Sequence, residues 1–272
     1  MSQQRSMEGK VAFITGVARG QGRSHALRLA REGVRIFGMD RCQDFDTLTY
    51  GMATTEELEE TKKLVEQAGS ELVATVGDVR SLADVEACVA AGLDAFGRID
   101  IVLANAGILS GGRTWELSPE QWSDVIGVCL TGVWHTVRAA IPTMIAQGDG
   151  GSIVLTSSVG GLKGLPFSGH YVAAKHGVVG LCRTLANELG EYDIRVNTIH
   201  PHGVNTPMMT ATDVIERIMA VPETLGPIFM NSLPYYFVEP EAVSELVHYL
   251  VSEAGRFTTG SQLPMDLGTM NR

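Results

Sequence analysis

Thr15-Gly16-Val17-Ala18-Arg19-Gly20-Gln21-Gly22 follows the apolar run Val11–Ile14 and leads into the helical stripe Ala26-Leu27-Leu29-Ala30. A strand, a glycine-rich turn and a helix in that order make an anion cradle. Glycine lets the backbone turn tightly and approach a phosphate, and the helix start presents free N–H groups to it. Gly16, Arg19, Gly20, Gln21 and Gly22 are therefore candidate pyrophosphate contacts.

Outward from this turn the pattern repeats. Apolar runs recur at Val34–Met39, Leu72–Val76, Ile99–Leu103, Ile153–Leu155 and Ile194–Ile199, with a weaker one at Gln262–Met265. Most are apolar at nearly every position, as parallel strands covered on both faces require. Pro264 restricts the last run to an edge strand or a strand end. Helical periodicity fills the intervals, as at Leu58, Leu64 and Val65, and Ser81 three residues before Asp84 resembles a helix cap. The expected fold class is α/β, a doubly wound, mostly parallel, Rossmann-type sheet. One domain spans 1–272, with helices on both faces.

Composition narrows the function. With 44% hydrophobic and 19% charged residues among 272, the chain is neither disordered nor a coiled coil. A net charge of −10 argues against nucleic acid as a partner. No run reaches the ~18 consecutive apolar residues of a membrane helix, and the start MSQQRSMEGK lacks a signal core. Cys42, Cys88, Cys129 and Cys182 are far apart and form no CxxC, so they read as reduced thiols in a cytoplasmic protein without a metal site.

Two segments exceed the usual ~2–6-residue connection. Residues 41–55 form an insertion after the second strand, placed near the adenosine of a bound dinucleotide. Residues 206–239 follow the sixth strand and hold Met208, Met209, Met219, Phe229, Met230, Tyr235, Tyr236 and Phe237. Both belong at the carboxyl ends of strands, where such sheets bind ligands. The second reads as a lid over an apolar substrate or as a subunit contact.

Asp40 ends the second strand eighteen residues after Gly22. There a carboxylate accepts both ribose hydroxyls of NAD and repels the 2′-phosphate of NADP by about 4 kcal/mol at 4 Å and intermediate dielectric. Arg19 and Arg41 argue for a phosphate instead, but Asp40 lies directly under the adenosine, and NAD is the expected cofactor. Further along, Tyr171 and Lys175 stand at i and i+4, on one helix face. A nearby ammonium stabilises phenolate and draws the tyrosine pKa down from its usual ~10. Ser158, thirteen residues before Tyr171, can donate to the same substrate oxygen; Ser157 competes for that role.

Taken in order, TGVARGQG, Asp40, Gly77-Asp78-Val79, Asn105-Ala106-Gly107, Ser158, Tyr171/Lys175 and Pro201…Thr206 resemble the short-chain dehydrogenase/reductase family from about Gly9 to Gly268. The resemblance implies that Tyr171 is the general acid/base and that Lys175 tunes it and holds the nicotinamide ribose. It further implies that Ser158 polarises the substrate oxygen, and that Asp78 and Val79 meet adenine. Asn105, Ala106 and Gly107 would line the cofactor cleft, and Pro201, Val204 and Thr206 would surround the nicotinamide carboxamide. Two positions depart from the pattern. Cys129 stands where the family has an asparagine whose carbonyl holds a relay water and whose side chain supports a helix distortion. A thiol is a poor hydrogen-bond donor, so Cys129 is either part of that catalytic relay or a packing residue. His202 follows Pro201 where glycine is usual, beside the nicotinamide; it contacts substrate or points to solvent. His200 reads as structural.

A narrower resemblance covers Gly20-Gln21-Gly22-Arg23-Ser24-His25, the insertion after Asp40, and His200-Pro201…Val204-Asn205-Thr206-Pro207-Met208. These are similar to the mycofactocin-associated dehydrogenases, which include carveol dehydrogenases. That similarity implies tightly held NAD, re-oxidised by the peptide-derived carrier mycofactocin, and the broader family resemblance implies a homotetramer. Folded back over adenine, the 41–55 insertion would slow cofactor escape. The expected substrate is a hydrophobic secondary alcohol or its ketone. Two alternatives stand beside this one. The first is a freely exchanging NAD(P)-dependent alcohol dehydrogenase or ketoreductase. The second is a catalytically lapsed dinucleotide-binding regulatory protein.

Overall fold

Among the described residues seven strands, all parallel, run in the spatial order β3-β2-β1-β4-β5-β6-β7. They are β1 Val11–Thr15, β2 Arg35–Asp40, β3 Leu72–Val76, β4 Ile101–Ala104, β5 Gly151–Thr156, β6 Ile194–Pro201 and β7 Gln262–Met265. The helices are α1 Gly20–Ala30, α2 Thr55–Gln67, α3 Leu82–Phe96, α4 Pro119–Ile126, α5 Gly132–Gln147 and α6 Gly169–Leu189, then the short α7 Pro207–Thr210, α8 Val214–Met219 and α9 Pro222–Leu225, and finally α10 Pro240–Val251. The computed structural model describes residues 7–272, so most of the N-terminal stretch read for a signal core lies outside the described residues.

Strand pleating divides the core. In β1, Val11 and Phe13 enter one apolar cluster with residues of α3, α4, α5 and α6. Ala12 and Ile14 enter the other, with α1, α2 and α10. Burial on both faces explains why these runs are apolar throughout. Phe13 and Phe37 stack at 4.8 Å between centroids across the β1–β2 pair, worth about 0.5–1.5 kcal/mol beyond their buried area. Among the described residues β7 pairs only with β6, which places Pro264 in an edge strand.

Boundaries shift for local reasons. β4 begins at Ile101, because the Gln147 side-chain amide takes both the N–H and the carbonyl of Ile99. β5 begins at Gly151, which pairs with Ile194. Ser81 caps α3 by accepting from the Asp84 N–H at 3.3 Å. The Asp84 carboxylate accepts in turn from the Ser81 hydroxyl and from the Asp78 N–H, tying the loop after β3 to the helix. α2 carries a full reciprocal cap between Thr54 and Glu57.

α4 and α5 form one helical run, Pro119–Gln147, interrupted by a π-helical turn at Gly127–Thr131. The run is long and apolar enough to cross a bilayer by length and composition. Half of its most apolar window is buried in this fold, as a core helix would be. The four cysteines are free thiols.

Candidate active site

The carboxyl ends of the parallel strands open onto two adjoining cavities. The first, of about 830 Å³, runs past Gly16, Arg19, Gly20, Gln21, Gly22, Asp40, Asp78, Val79, Asn105, Ala106 and Gly107. The second, of about 980 Å³, holds Ser158, Tyr171, Lys175, Pro201, Val204 and Thr206. Gln21, Asn105, Gly107, Thr206 and Met208 line both, so the two are halves of one groove.

At the first half, Gly16 and Gly20 adopt φ of +70° and +56°, the left-handed region that a β-carbon disfavours. A β-carbon on Gly22 would lie 1.9 Å from the Gly16 carbonyl oxygen, so only glycine lets α1 start this close to the turn. Arg19 occupies the cap position of α1 without a side-chain cap, and the first turn has no acidic residue. The leading N–H groups and the positive end of the helix dipole are thus left for an anion. Arg23 braces the turn through two bonds to the Ala18 carbonyl, at 2.9 and 3.1 Å.

Asp40 is buried and accepts the Ala18 N–H at 3.0 Å. Burial raises its pKa, partly offset by these backbone bonds. Neither arginine that argued for a 2′-phosphate is uncommitted. Arg19 donates to the Gly51 carbonyl and pairs with Glu57. Arg41 pairs with Asp78 at 3.1 Å and donates to the Gln43 and Asp44 carbonyls. For Asp78, burial alone would raise the pKa, but Arg80 bonds and the Arg41 charge hold it below the usual carboxylate range. The Val79 carbonyl is bonded to His135 Nδ1 at 2.9 Å.

The 41–55 insertion folds back against this half. Phe45, Tyr50, Met52 and Ala53 line it, and the Phe45 ring packs against the Arg41 and Arg80 guanidiniums, 3.9 and 4.6 Å from its centre. Three ties fasten the insertion. The Tyr50 hydroxyl accepts the Leu109 N–H at 3.0 Å, Thr47 donates to Asp124 at 2.7 Å, and Arg19 holds the Gly51 carbonyl. Sequence reasoning marked the insertion but not Phe45 or Tyr50; two aromatics in a long polar connection were the signal available.

In the second half, Lys175 is buried and donates to the Thr156 carbonyl at 2.7 Å, and burial lowers its pKa. Its Nζ lies 5.4 Å from the Tyr171 ring centre. The expected fall in the Tyr171 pKa does not follow in the chain alone. Burial dominates and pushes the phenol up, with the Ser158 hydroxyl bond pulling it back only in part. Of the two serines, Ser157 donates to the Lys175 carbonyl at 3.0 Å, while the Ser158 hydroxyl accepts the Gly160 N–H at 3.1 Å and lines the cavity with Tyr171. His200 is fully buried between the Ser158 carbonyl, 2.7 Å from Nδ1, and Thr198. A carbonyl only accepts, so Nδ1 carries the proton, and burial lowers the His200 pKa to about 4.

Cys129 lines neither cavity. It lies in the π-helical turn, fully buried, and its thiol donates to the Ile108 carbonyl at 3.3 Å and accepts the Ile108 N–H at 3.4 Å. The thiol thus braces the loop after β4 from behind. His202 does line the second cavity.

The residues present fit a dinucleotide. The uncapped start of α1 suits a pyrophosphate, and Asp40 suits ribose hydroxyls. The side-chain oxygens of Gln21 and Asn105 are buried in the groove without a hydrogen-bond partner.

Comparison with known proteins agrees. A family model described as enoyl-(acyl carrier protein) reductase matches residues 16–270. An NAD-dependent oxidoreductase of Mycobacterium tuberculosis is 47% identical over 97% of each chain. The (−)-trans-carveol dehydrogenase of Rhodococcus erythropolis is 44% identical over 97% of this chain and 98% of its own. A crystal structure of carveol dehydrogenase from Mycobacterium avium in complex with NAD superposes with a TM-score of 0.93 at 43% identity, covering 98% of this chain and 99% of that one. The glycine turn, the Ser158–Tyr171–Lys175 set and these similarities converge: the chain belongs to the short-chain dehydrogenase/reductase family, on its carveol dehydrogenase-like branch.

Proposed function

We propose that the protein is an NAD-dependent oxidoreductase interconverting a hydrophobic secondary alcohol and its ketone, with tightly held NAD re-oxidised by mycofactocin. The observation that carries this reading is the position of Ser158 and Tyr171. Both face an apolar cavity continuous with the dinucleotide groove. Leu109, Leu165, Met208, Met209, Val214, Ile218 and Phe229 give that cavity an adaptable apolar wall.

Gly16, Gly20, Gln21 and Gly22, with the backbone of Arg19, would hold the pyrophosphate, Asp40 the adenosine ribose, and Asp78 and Val79 the adenine. Asn105, Ala106 and Gly107 would floor the groove, with Pro201, Val204 and Thr206 around the carboxamide and Lys175 on the nicotinamide ribose. When bound, oxidised nicotinamide would supply a hydride acceptor and a positive charge to this half of the groove. That charge favours phenolate and works against the burial that raises the phenol. Ser158 then holds the substrate oxygen while Tyr171 takes its proton. Cys129 serves this machinery by bracing Ile108 beside the groove.

Tight retention is supported by the three ties that fasten the 41–55 insertion across the adenosine half. Because extra contacts act mainly on dissociation, slow exchange is the expected consequence. The test is purification without added cofactor, then a panel of apolar secondary alcohols with an artificial electron acceptor beside a control with NAD alone. Turnover with the acceptor only, absent in Tyr171→Phe that still carries NAD, is expected. Full turnover of an apo preparation on free NAD would favour an ordinary exchanging dehydrogenase. NAD binding with no turnover of any alcohol would favour the regulatory reading.

A further inference from the structure

His202 has no role in the scheme above, yet it lines the substrate half of the groove together with Leu165, Ile228, Phe229 and Thr269. Its Nδ1 is buried and has no hydrogen-bond partner. That atom has no surface open to the cavity, so a ligand there would meet Nε2, which makes no protein hydrogen bond among the described residues and keeps accessible surface. The charged groups that act on it are committed elsewhere. Lys163 donates to the Ile228 and Thr269 carbonyls at 2.9 and 3.1 Å. Asp266 accepts the Gly268 and Met270 N–H groups at 3.0 and 2.9 Å. The Thr269 hydroxyl is spent on the Met230 carbonyl. Nor can the imidazole gain by ionising, since burial lowers its pKa. It stays neutral, with one nitrogen to donate and one to accept. A neutral ring of that kind matches a hydroxyl or a ketone oxygen, and the surrounding wall is apolar.

We propose that His202 is a specificity-determining residue that hydrogen-bonds a second oxygen of the substrate. The preferred substrates are then apolar ring alcohols bearing a further hydroxyl or carbonyl, rather than simple alcohols. The inference rests on the oxidoreductase reading and narrows its substrate class. Ser158 and Tyr171 hold the oxygen that is oxidised, and His202 holds the one that is not.

The test compares cyclohexanol with the 1,2-, 1,3- and 1,4-cyclohexanediols in the wild type, His202→Leu and His202→Asn, each carrying its cofactor. The wild type should favour at least one diol in kcat/KM by about three- to tenfold, the range of one neutral hydrogen bond. His202→Leu should erase that preference while cyclohexanol turnover stays within about threefold, and His202→Asn should restore part of it. An equal loss on cyclohexanol and diol, or no preference in the wild type, overturns the inference. A second readout is independent of turnover. In NAD-loaded Tyr171→Phe, the imidazole nitrogen resonances of His202 should shift with the preferred diol and not with cyclohexanol. Equal shifts, or none, overturn the contact. Failure of the wild type to oxidise any of the four alcohols, with the diol-specific shift intact, would instead count against the oxidoreductase reading alone.

Discussion

Tyr50→Phe isolates the proposed cofactor clasp. The ring is 7% exposed and stays in place, so the substitution removes one oxygen and little packing. What it leaves behind is the Leu109 N–H, which donates to that oxygen at 3.0 Å from a residue itself 7% exposed. An orphaned buried donor costs about 1–3 kcal/mol. The cost falls on the closed form alone, because an opened insertion lets water satisfy both groups. The closed-to-open balance should therefore shift about 5- to 150-fold. If NAD leaves only through the opened form, its dissociation rate rises by the same factor while association changes little. The assay loads the protein with labelled NAD, chases with unlabelled NAD and follows release. Amide hydrogen exchange at Leu109 is read alongside, and it should accelerate as the tie is lost. An unchanged release rate with accelerated exchange at Leu109 would refute the clasp, since the tie would then be broken without consequence. Thr47→Ala removes the bond to Asp124, made three residues earlier in the insertion. Combined with Tyr50→Phe, it should raise release more than either change alone.

Asp40→Asn should raise affinity for NADP by one to three orders of magnitude, since up to about 4 kcal/mol of charge repulsion is removed. Competitive titration of NADP against NAD checks this, and an unchanged ratio would count against Asp40 as the selector. Cys129→Asn should keep or raise activity, because an amide can both donate to and accept from Ile108 as the thiol does; complete loss in a folded variant would show that the thiol itself matters. Stability should fall on acidification from pH 6.5. Burial depresses His25 to about 3 and His200 to about 4, so across pH 6.5 to 4 the unfolded chain binds more protons. Stability present above the unfolded pKa is lost through that window, by up to about 2.7 kcal/mol per pH unit for the pair. Denaturant titrations should show the slope, and His25→Gln or His200→Gln should each flatten it by that residue's own share, up to about 1.4 kcal/mol per pH unit.

What was readable in the sequence is what depends on neighbours along the chain. Strand periodicity, the glycine turn and the i, i+4 spacing of Tyr171 and Lys175 are local, and the fold follows from them. The departures come from contacts between distant segments. Ile99 leaves its strand because Gln147, 48 residues away, takes its backbone groups. Arg19 and Arg41, read as possible phosphate ligands, are occupied by the insertion and by Asp78. Cys129 is a weak donor in isolation, but it does not act in isolation. Its sulfur exchanges two bonds with Ile108, 21 residues earlier, where a stronger group would do the same work.

The Tyr171 proton shows the same division more sharply. Spacing puts Lys175 on the face of Tyr171, and the structure keeps the ammonium 5.4 Å from the ring centre. Spacing says nothing about solvent, and burial both raises the phenol and weakens the ammonium. Helical adjacency therefore supplies the arrangement but not the acidity. The acidity has to come from charge that arrives with the cofactor. On the proposed mechanism the phenol would become a competent base with an oxidised nicotinamide beside it, which would tie proton abstraction to the presence of a hydride acceptor. A Tyr171 titration midpoint, read by ultraviolet absorbance against Tyr171→Phe, that moves down when NAD is loaded would express that coupling. One that does not move would return the tuning to Lys175 alone.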